Sequence, residues 1–152
     1  MKVNWVALGS FSSVFLRAAL GVSFLSAVAD RFGLCGPFGQ PNVAWGDFAH
    51  FVAYTAKLNW FLPHSTIPTL ALASTCAELL LGVLLLIGLQ TRAVALLSGL
   101  LLLAFALAMT FALGIKAPLN DSVFSASGGA FLLAACPRFP LSVDNWLLPH
   151  SS

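Results

Sequence analysis

Charged residues are scarce in this chain of 152 residues: 8% are Asp, Glu, Lys or Arg, whereas 59% are hydrophobic. A soluble domain usually has about a quarter charged residues, so the composition excludes a water-facing surface of ordinary polarity. The net charge is only +2 and no basic cluster occurs, so we expect no nucleic-acid partner. The sequence therefore predicts an integral membrane protein surrounded by the lipid bilayer.

The usual signatures of cofactor sites are also missing. Cys35, Cys76 and Cys136 form no Cys-x-x-Cys pair, which argues against zinc, haem attachment and thioredoxin-like chemistry. His50 and His64 show no spacing that would make metal ligands converge, so we expect no metal site. No nucleotide or flavin motif occurs, and no self-contained catalytic motif supports assigning a catalytic residue or an independent enzyme activity.

Long hydrophobic runs dominate what is present. A spanning helix needs about 20 mostly apolar residues, and four segments approach this length: 10–29, 67–89, 93–114 and the shortest, 119–135. Short links join the last three, so these helices should be antiparallel neighbours, and Asn120 or Asp121 can cap the fourth. We predict an all-α integral membrane fold: a single domain over residues 1–152, built as a four-helix transmembrane bundle.

The first helix has a competing interpretation. Ala27 and Ala29 form a small-x-small pattern that could be a signal-peptide cleavage site. However, Arg17 would make the basic leader of such a peptide unusually long, so we favour a retained helix. Lys and Arg counts in the loops do not decide the orientation; the position of Arg17 weakly favours both termini in the cytoplasm of a prokaryotic cell.

The connection over residues 30–66 is too long and too aromatic to be a plain linker. Asp47 can cap a helix that runs to about Leu58. Tyr and Trp favour the bilayer surface, so this segment is predicted to be an interfacial aromatic helix that forms a lid over the bundle. The predicted lid residues are Trp45, Phe48, Phe51, Tyr54 and Trp60.

Glu78 is the only charged residue in the segment 67–89. A carboxylate near the bilayer midplane costs roughly 2.5 to 3.5 kcal/mol on insertion scales and usually finds a partner inside the bundle. Arg17 is the plausible partner at comparable depth, directly or through Ser74 or Thr75. Two interpretations stay open: a structural ion pair that fixes helix register, or a polar site for a redox-active headgroup, a small solute or a proton.

Three stretches resemble the DoxX family of small four-helix membrane proteins. They are LRAALGVSFLSAVADRFG at 16–33, AELLLGVLLLIGLQTRAVAL at 77–96 and PRFPLSVDNWLL at 137–148, which occur in the family's order. This family is related to the small membrane subunit of thiosulfate:quinone oxidoreductase. The resemblance implies a place in bacterial or archaeal membrane redox assemblies with other protein subunits, although the long aromatic first loop departs from the family's common pattern.

Three functions follow from these features. The leading hypothesis is a membrane subunit of a redox complex that binds a quinone or a similar lipid-soluble carrier at Arg17 and Glu78. The second is a non-catalytic anchor that binds larger partners through residues 31–66 and has no internal cavity. The third is a transporter of a small solute or proton, which we rank last because the predicted helices are continuous.

Overall fold

The computed structural model describes residues 5–147, and all regular elements within this range are helical. Besides a single 3₁₀ turn at His64–Thr66, the helices are α1 Trp5–Arg31, α2 Phe48–Leu58, α3 Ile67–Ile87, α4 Thr91–Leu113, α5 Lys116–Asn120, α6 Val123–Ala134 and α7 Val143–Leu147. Three stretches are long and apolar enough to cross a membrane: Ala7–Arg31, His64–Ile87 and Thr91–Leu113. The predicted all-α membrane fold is confirmed.

The fourth predicted segment differs from the expectation of one continuous helix. The chain breaks at Asp121 and Ser122, between α5 and α6, and Ser122 has a φ of 56°. Ser122 occupies the position before α6 and its side chain makes no capping bond, so the predicted cap by Asn120 or Asp121 is wrong. The 12 residues of α6 rise about 18 Å, less than the roughly 30 Å hydrocarbon core of a bilayer.

The four core helices form two tightly packed pairs, α1 with α3 and α4 with α6. Glycine allows the close approach in both pairs. A β-carbon on Gly21 would lie 3.0 Å from the carbonyl oxygen of Gly82, and one on Gly99 would lie 2.7 Å from the ring of Phe131. The hydroxyl of Ser127 donates to the Gly99 carbonyl at 2.9 Å. Small residues at these crossings fix the register of each pair.

Helix α2 lies against α3 and α4 at one end of the bundle. Asp47 precedes it and accepts a hydrogen bond from the backbone N–H of His50 at 2.8 Å, as the sequence predicts. This bond lowers the pKa of Asp47. The loop before α2 is fastened by Asp30, whose Oδ2 accepts from the backbone N–H groups of Ala44 and Trp45 at 3.0 and 2.9 Å.

The segment after α6 folds back onto the opposite end of the bundle. Asp144 accepts hydrogen bonds from the backbone N–H groups of Gln90 and Thr91, both at 2.6 Å. These two N–H groups lie at the start of α4 and have no partner within that helix. The Asp144 N–H in turn donates to the carbonyl of Gly88 at 3.0 Å. We call this arrangement the C-terminal clamp: residues 139–145 bound to the turn between α3 and α4.

Candidate functional site

Glu78 forms a buried ion pair with Arg31, the last residue of α1. Nη2 of Arg31 lies 2.8 and 2.9 Å from the two carboxylate oxygens of Glu78, and Nη1 donates to Thr75 Oγ1 at 2.9 Å. Both charged side chains are 3% exposed. The guanidinium carbon of Arg31 also lies 3.7 Å from the ring centre of Phe51, a cation–π contact that covers one face of the charge.

The predicted pair between Arg17 and Glu78 is therefore wrong, and helix geometry gives the reason. Gly21 faces Gly82 in the antiparallel pair, which places Arg17 near the level of Leu86. Side chains lean towards the N-terminus of their own helix. In this register Arg17 and Glu78 lean away from each other, whereas Arg31 and Glu78 lean towards each other from about 9 Å apart along the axis.

Arg17 is bound by backbone carbonyls instead. Its guanidinium donates to Leu85 and Leu86 at the end of α3, at 3.0 and 3.3 Å, and to Pro140 and Leu141 of the C-terminal clamp, at 2.9 and 3.2 Å. The carbonyls that end a helix have no intrahelical partner and carry partial negative charge. Arg17 therefore joins three chain segments without a carboxylate in direct contact.

A cavity of about 730 Å³ lies between the two helix pairs and beneath α2. We call it the central cavity. Arg31 and Glu78 are on its wall, together with aromatic and small side chains from α1, α2, α3, α4 and α6. Its principal lining residues are Ser23, Phe24, Ala27, Trp45, Phe51, Tyr54, Ser74, Ala77, Phe105, Ala108, Met109, Asp121 and Ala126.

A second, shallower depression adjoins this cavity. It has a volume of about 500 Å³ and lies beside the first turns of α3; we call it the side groove, lined by Leu62, Pro63, Ser65, Thr66, Thr69, Leu70 and Ala73. Leu70 and Ala73 also line the central cavity. The two spaces therefore meet at these two residues.

A comparison with protein families matches the part of the chain that supplies most of this site. The model of the family described as methylamine utilisation protein MauE matches residues 8–120, about three quarters of the chain. The chain belongs to the MauE family. No curated protein and no solved structure matches it.

Membership of the MauE family corrects the resemblance to DoxX, because no match to a DoxX family is found. The quoted motifs have a structural explanation in this chain. Arg17 binds the end of α3, Gly88 adopts a left-handed conformation with φ of 74° in the turn, and Asp144 binds the start of α4. Residues that close a small helical bundle are a weak guide to family, because any bundle with the same turns needs similar ones.

Most of the predicted site residues are near the central cavity of this MauE-family chain, although Arg17 is at the opposite end of α3. Ser74 lines the cavity and donates to the Ala71 carbonyl at 3.0 Å. Thr75 is buried behind the wall, where it positions Arg31. Of the predicted lid, Trp45, Phe51 and Tyr54 line the cavity, whereas Phe48 stacks on Phe32 at 6.3 Å and Trp60 is 73% exposed.

Sequence reasoning missed Arg31 because it was assigned to the loop. An adjacent Asp30–Arg31 pair at the end of an apolar helix was the available signal: Asp30 fastens the loop before α2, and Arg31 turns back to α3. Asp121, at the break between α5 and α6, also lines the cavity. Burial raises the pKa of Tyr54, and the charge of Asp121 raises it further, so the phenol stays a neutral hydrogen-bond donor at physiological pH.

One donor at the site has no partner within residues 5–147. Nε of Arg31 is buried and makes no hydrogen bond there, although every other nitrogen of this guanidinium is bound. A buried N–H without an acceptor costs about 1 to 3 kcal/mol, and a ligand oxygen could reach this atom only if the Arg31 side chain turned. What the wall offers is a buried charge pair, Arg31 and Glu78, in a mostly apolar space.

Proposed function

We propose that this MauE-family chain is a membrane subunit of a redox system and that its central cavity binds a quinone or a comparable lipid-soluble carrier. The family description, methylamine utilisation protein, supports the redox setting, because use of methylamine as a nutrient requires its oxidation. The chain brings no prosthetic-group motif of its own, so the oxidation itself is assigned to partner proteins.

The observation that carries this proposal is the buried Arg31–Glu78 pair on the wall of an apolar cavity. Ligand sites typically enclose about 300 to 1,000 Å³ and combine apolar walls with a few polar groups, and the cavity volume of about 730 Å³ lies within this range. A quinone ring matches the aromatic walls of Tyr54 and Phe105, and its carbonyl oxygen matches the cationic guanidinium of Arg31 on the same wall.

The other two functions are less well supported by the same geometry. A pure anchor has no use for a ligand-sized cavity beside Glu78. A small organic cation, such as an ammonium compound, would be attracted to Glu78 and to the aromatic face of Phe51, but Arg31 already occupies both: it bonds to Glu78 and covers Phe51. The protein's own cation thus fills this position.

Direct quinone binding tests the proposal. We expect the purified protein in lipid nanodiscs to bind a short-chain benzoquinone, and Arg31→Lys to weaken binding by roughly tenfold or more, because one charge-assisted hydrogen bond is worth about 1.5 to 3 kcal/mol. Arg17→Lys is the matched control: the same substitution, on the same helix, outside the cavity. Wild-type binding affinity in both Arg31→Lys and Glu78→Gln would overturn the proposal.

Filling the cavity provides an independent test. Ala108→Phe adds a ring to a residue that lines the cavity, whereas Leu107→Phe adds a similar ring to the neighbouring residue, which is 43% exposed on the outer surface. We expect the first variant to lose quinone binding and the second to retain it, with both folded by circular dichroism. Equal binding by the two would place the quinone elsewhere.

A further inference from the structure

The central cavity and the side groove share part of their lining. Leu70 and Ala73 line both spaces, so these two side chains form part of the wall between them. Leu70 is 36% exposed, and alanine at position 73 is the smallest side chain that still has a β-carbon. A ligand that extends from one space into the other would therefore pass these two side chains.

The groove opens on a membrane-spanning helix. Thr66, Thr69 and Leu70 belong to the stretch His64–Ile87, which is long and apolar enough to cross a membrane, and all three are exposed. Leu70 and Ala73 lie within about 10 Å of the start of α3 along its axis. A bilayer centred on this stretch would place Leu70 and Ala73 within its hydrocarbon core of roughly 30 Å, so the groove would open to lipid instead of bulk water.

The central cavity and the side groove differ in polarity, so each suits a different part of an amphipathic ligand. Arg31, Glu78 and Asp121 supply charge in the cavity, whereas the groove is lined by apolar residues and hydroxyl groups and contains no charged side chain. A polar ring fits the first space. A hydrocarbon chain attached to that ring fits the second and can continue directly into the bilayer without crossing water.

We infer that the ligand of this protein is an amphipathic lipid with a long apolar tail, whose headgroup lies at Arg31 and whose tail leaves through the side groove past Leu70 and Ala73. This inference rests on the proposed function and narrows its ligand class from redox carriers in general to membrane-resident, tailed ones. It also assigns the route of entry: laterally from the lipid, beside the start of α3.

Photocrosslinking with two benzoquinone probes tests the tail position. One probe carries a ten-carbon tail that ends in a diazirine, and the other has the same ring with methyl substituents only. We expect the diazirine to label residues 62–73 in wild-type protein, as located by peptide mass spectrometry. An excess of the tailless ring should suppress this labelling, because both probes compete for the headgroup site at Arg31.

A substitution that blocks the side groove tests the tail site independently of the headgroup site. Thr69 lines the groove but not the cavity, so Thr69→Trp should weaken binding of the tailed probe by about tenfold, the usual scale of an overpacking clash. Binding of the tailless ring should stay within about twofold, which also shows that the variant is folded. Leu72→Trp is the matched control, since Leu72 is 53% exposed and lines neither space.

The outcomes distinguish this inference from the proposed function. If the tailless ring binds but Thr69→Trp leaves the tailed probe unaffected and labelling falls outside residues 62–73, the tail route is overturned while the proposed headgroup site stands. If neither probe binds wild-type protein, both are overturned. Labelling within residues 62–73 that is lost in Thr69→Trp but retained in Leu72→Trp supports the route.

Discussion

Arg17 and Arg31 are buried on the same helix, yet their charges are compensated in different ways. Arg17 is held by four backbone carbonyls at the end of α3 and in the C-terminal clamp. Arg31 is held by one carboxylate, one hydroxyl and two aromatic rings. Backbone carbonyls exist whatever the sequence, whereas the partners of Arg31 are specific side chains that also line a cavity.

The difference indicates which arginine serves the fold alone. All hydrogen bonds of Arg17 described above go to helix ends and turns, where unpaired carbonyls and the helix dipole favour a cation. Arg31 leaves Nε without a partner within residues 5–147 and lies on the wall of a ligand-sized space. A buried charge pair on the wall of such a space is more typical of a binding site than of a simple structural link.

The largest expected effect comes from removing Arg31. Arg31→Met leaves the buried Glu78 without its cation, and breaking a buried ion pair in this way costs about 3 to 5 kcal/mol of the free energy of unfolding. Combining Arg31→Met with Glu78→Leu should recover most of that loss, because no buried charge is then left unpaired. Unfolding in mixed detergent micelles measures both; a double variant no more stable than Arg31→Met would contradict the pairing.

A smaller loss is expected at Arg17. Arg17→Met removes hydrogen bonds to four carbonyls but leaves no carboxylate without its cation, so we expect a loss of about 2 kcal/mol. Quinone binding should be unchanged, which contrasts with Arg31. The unfolding assay measures the loss of stability, and the nanodisc assay measures quinone binding. A loss of binding in Arg17→Met would contradict the assignment of the ligand site to Arg31 alone.

A substitution of Asp144 tests how much the C-terminal clamp, which Arg17 also binds, contributes to stability. Asp144→Ala removes a carboxylate that accepts from the first backbone N–H groups of α4, and loss of such a capping group costs about 1 kcal/mol. Hydrogen exchange at Gln90 and Thr91 should accelerate in the variant, while exchange in α2 should not change. Acceleration near α2 would mean that the two ends of the bundle are coupled.

The smallest expected effect is a pH dependence of the stability that Asp144 contributes through the C-terminal clamp. Burial alone would raise the pKa of Asp144, but hydrogen bonds from Thr91 and Gln90 and the charge of Arg17 outweigh it and lower the pKa. A lowered pKa contributes stability that is present above about pH 4, the unfolded value, and is lost as the pH falls through the lower folded value. Melting temperatures from pH 6 to 3 should therefore converge between wild type and Asp144→Ala only in acid.

The sequence predicted the broad fold because the signals were local. Runs of apolar residues marked the three long helices, and Asp47 marked the start of α2. The fourth segment was predicted poorly because its apolar composition hides the break at Asp121 and Ser122, which depends on the backbone conformation of Ser122. The family resemblance was wrong because its motifs mark bundle closure, which different four-helix families can share.

The sequence predicted only part of the candidate site. Glu78 was found because a carboxylate in an apolar helix needs a partner, and Trp45, Phe51 and Tyr54 were found because aromatic residues clustered in one loop. Arg31, the partner of Glu78, was missed because residue spacing alone does not give the register between two helices. The contact of Gly21 with Gly82 sets that register, and the lean of each side chain then selects Arg31 over Arg17.

By itself, the sequence determined that this protein is a helical membrane protein with a buried carboxylate beneath an aromatic loop, since hydrophobic length and charge scarcity act residue by residue. The tertiary structure decided which arginine meets Glu78, that a cavity of about 730 Å³ opens beside them, and that Asp121 reaches it. These features depend on distances between helices, which are fixed by packing at a few glycines and small residues and have no local signature in the chain.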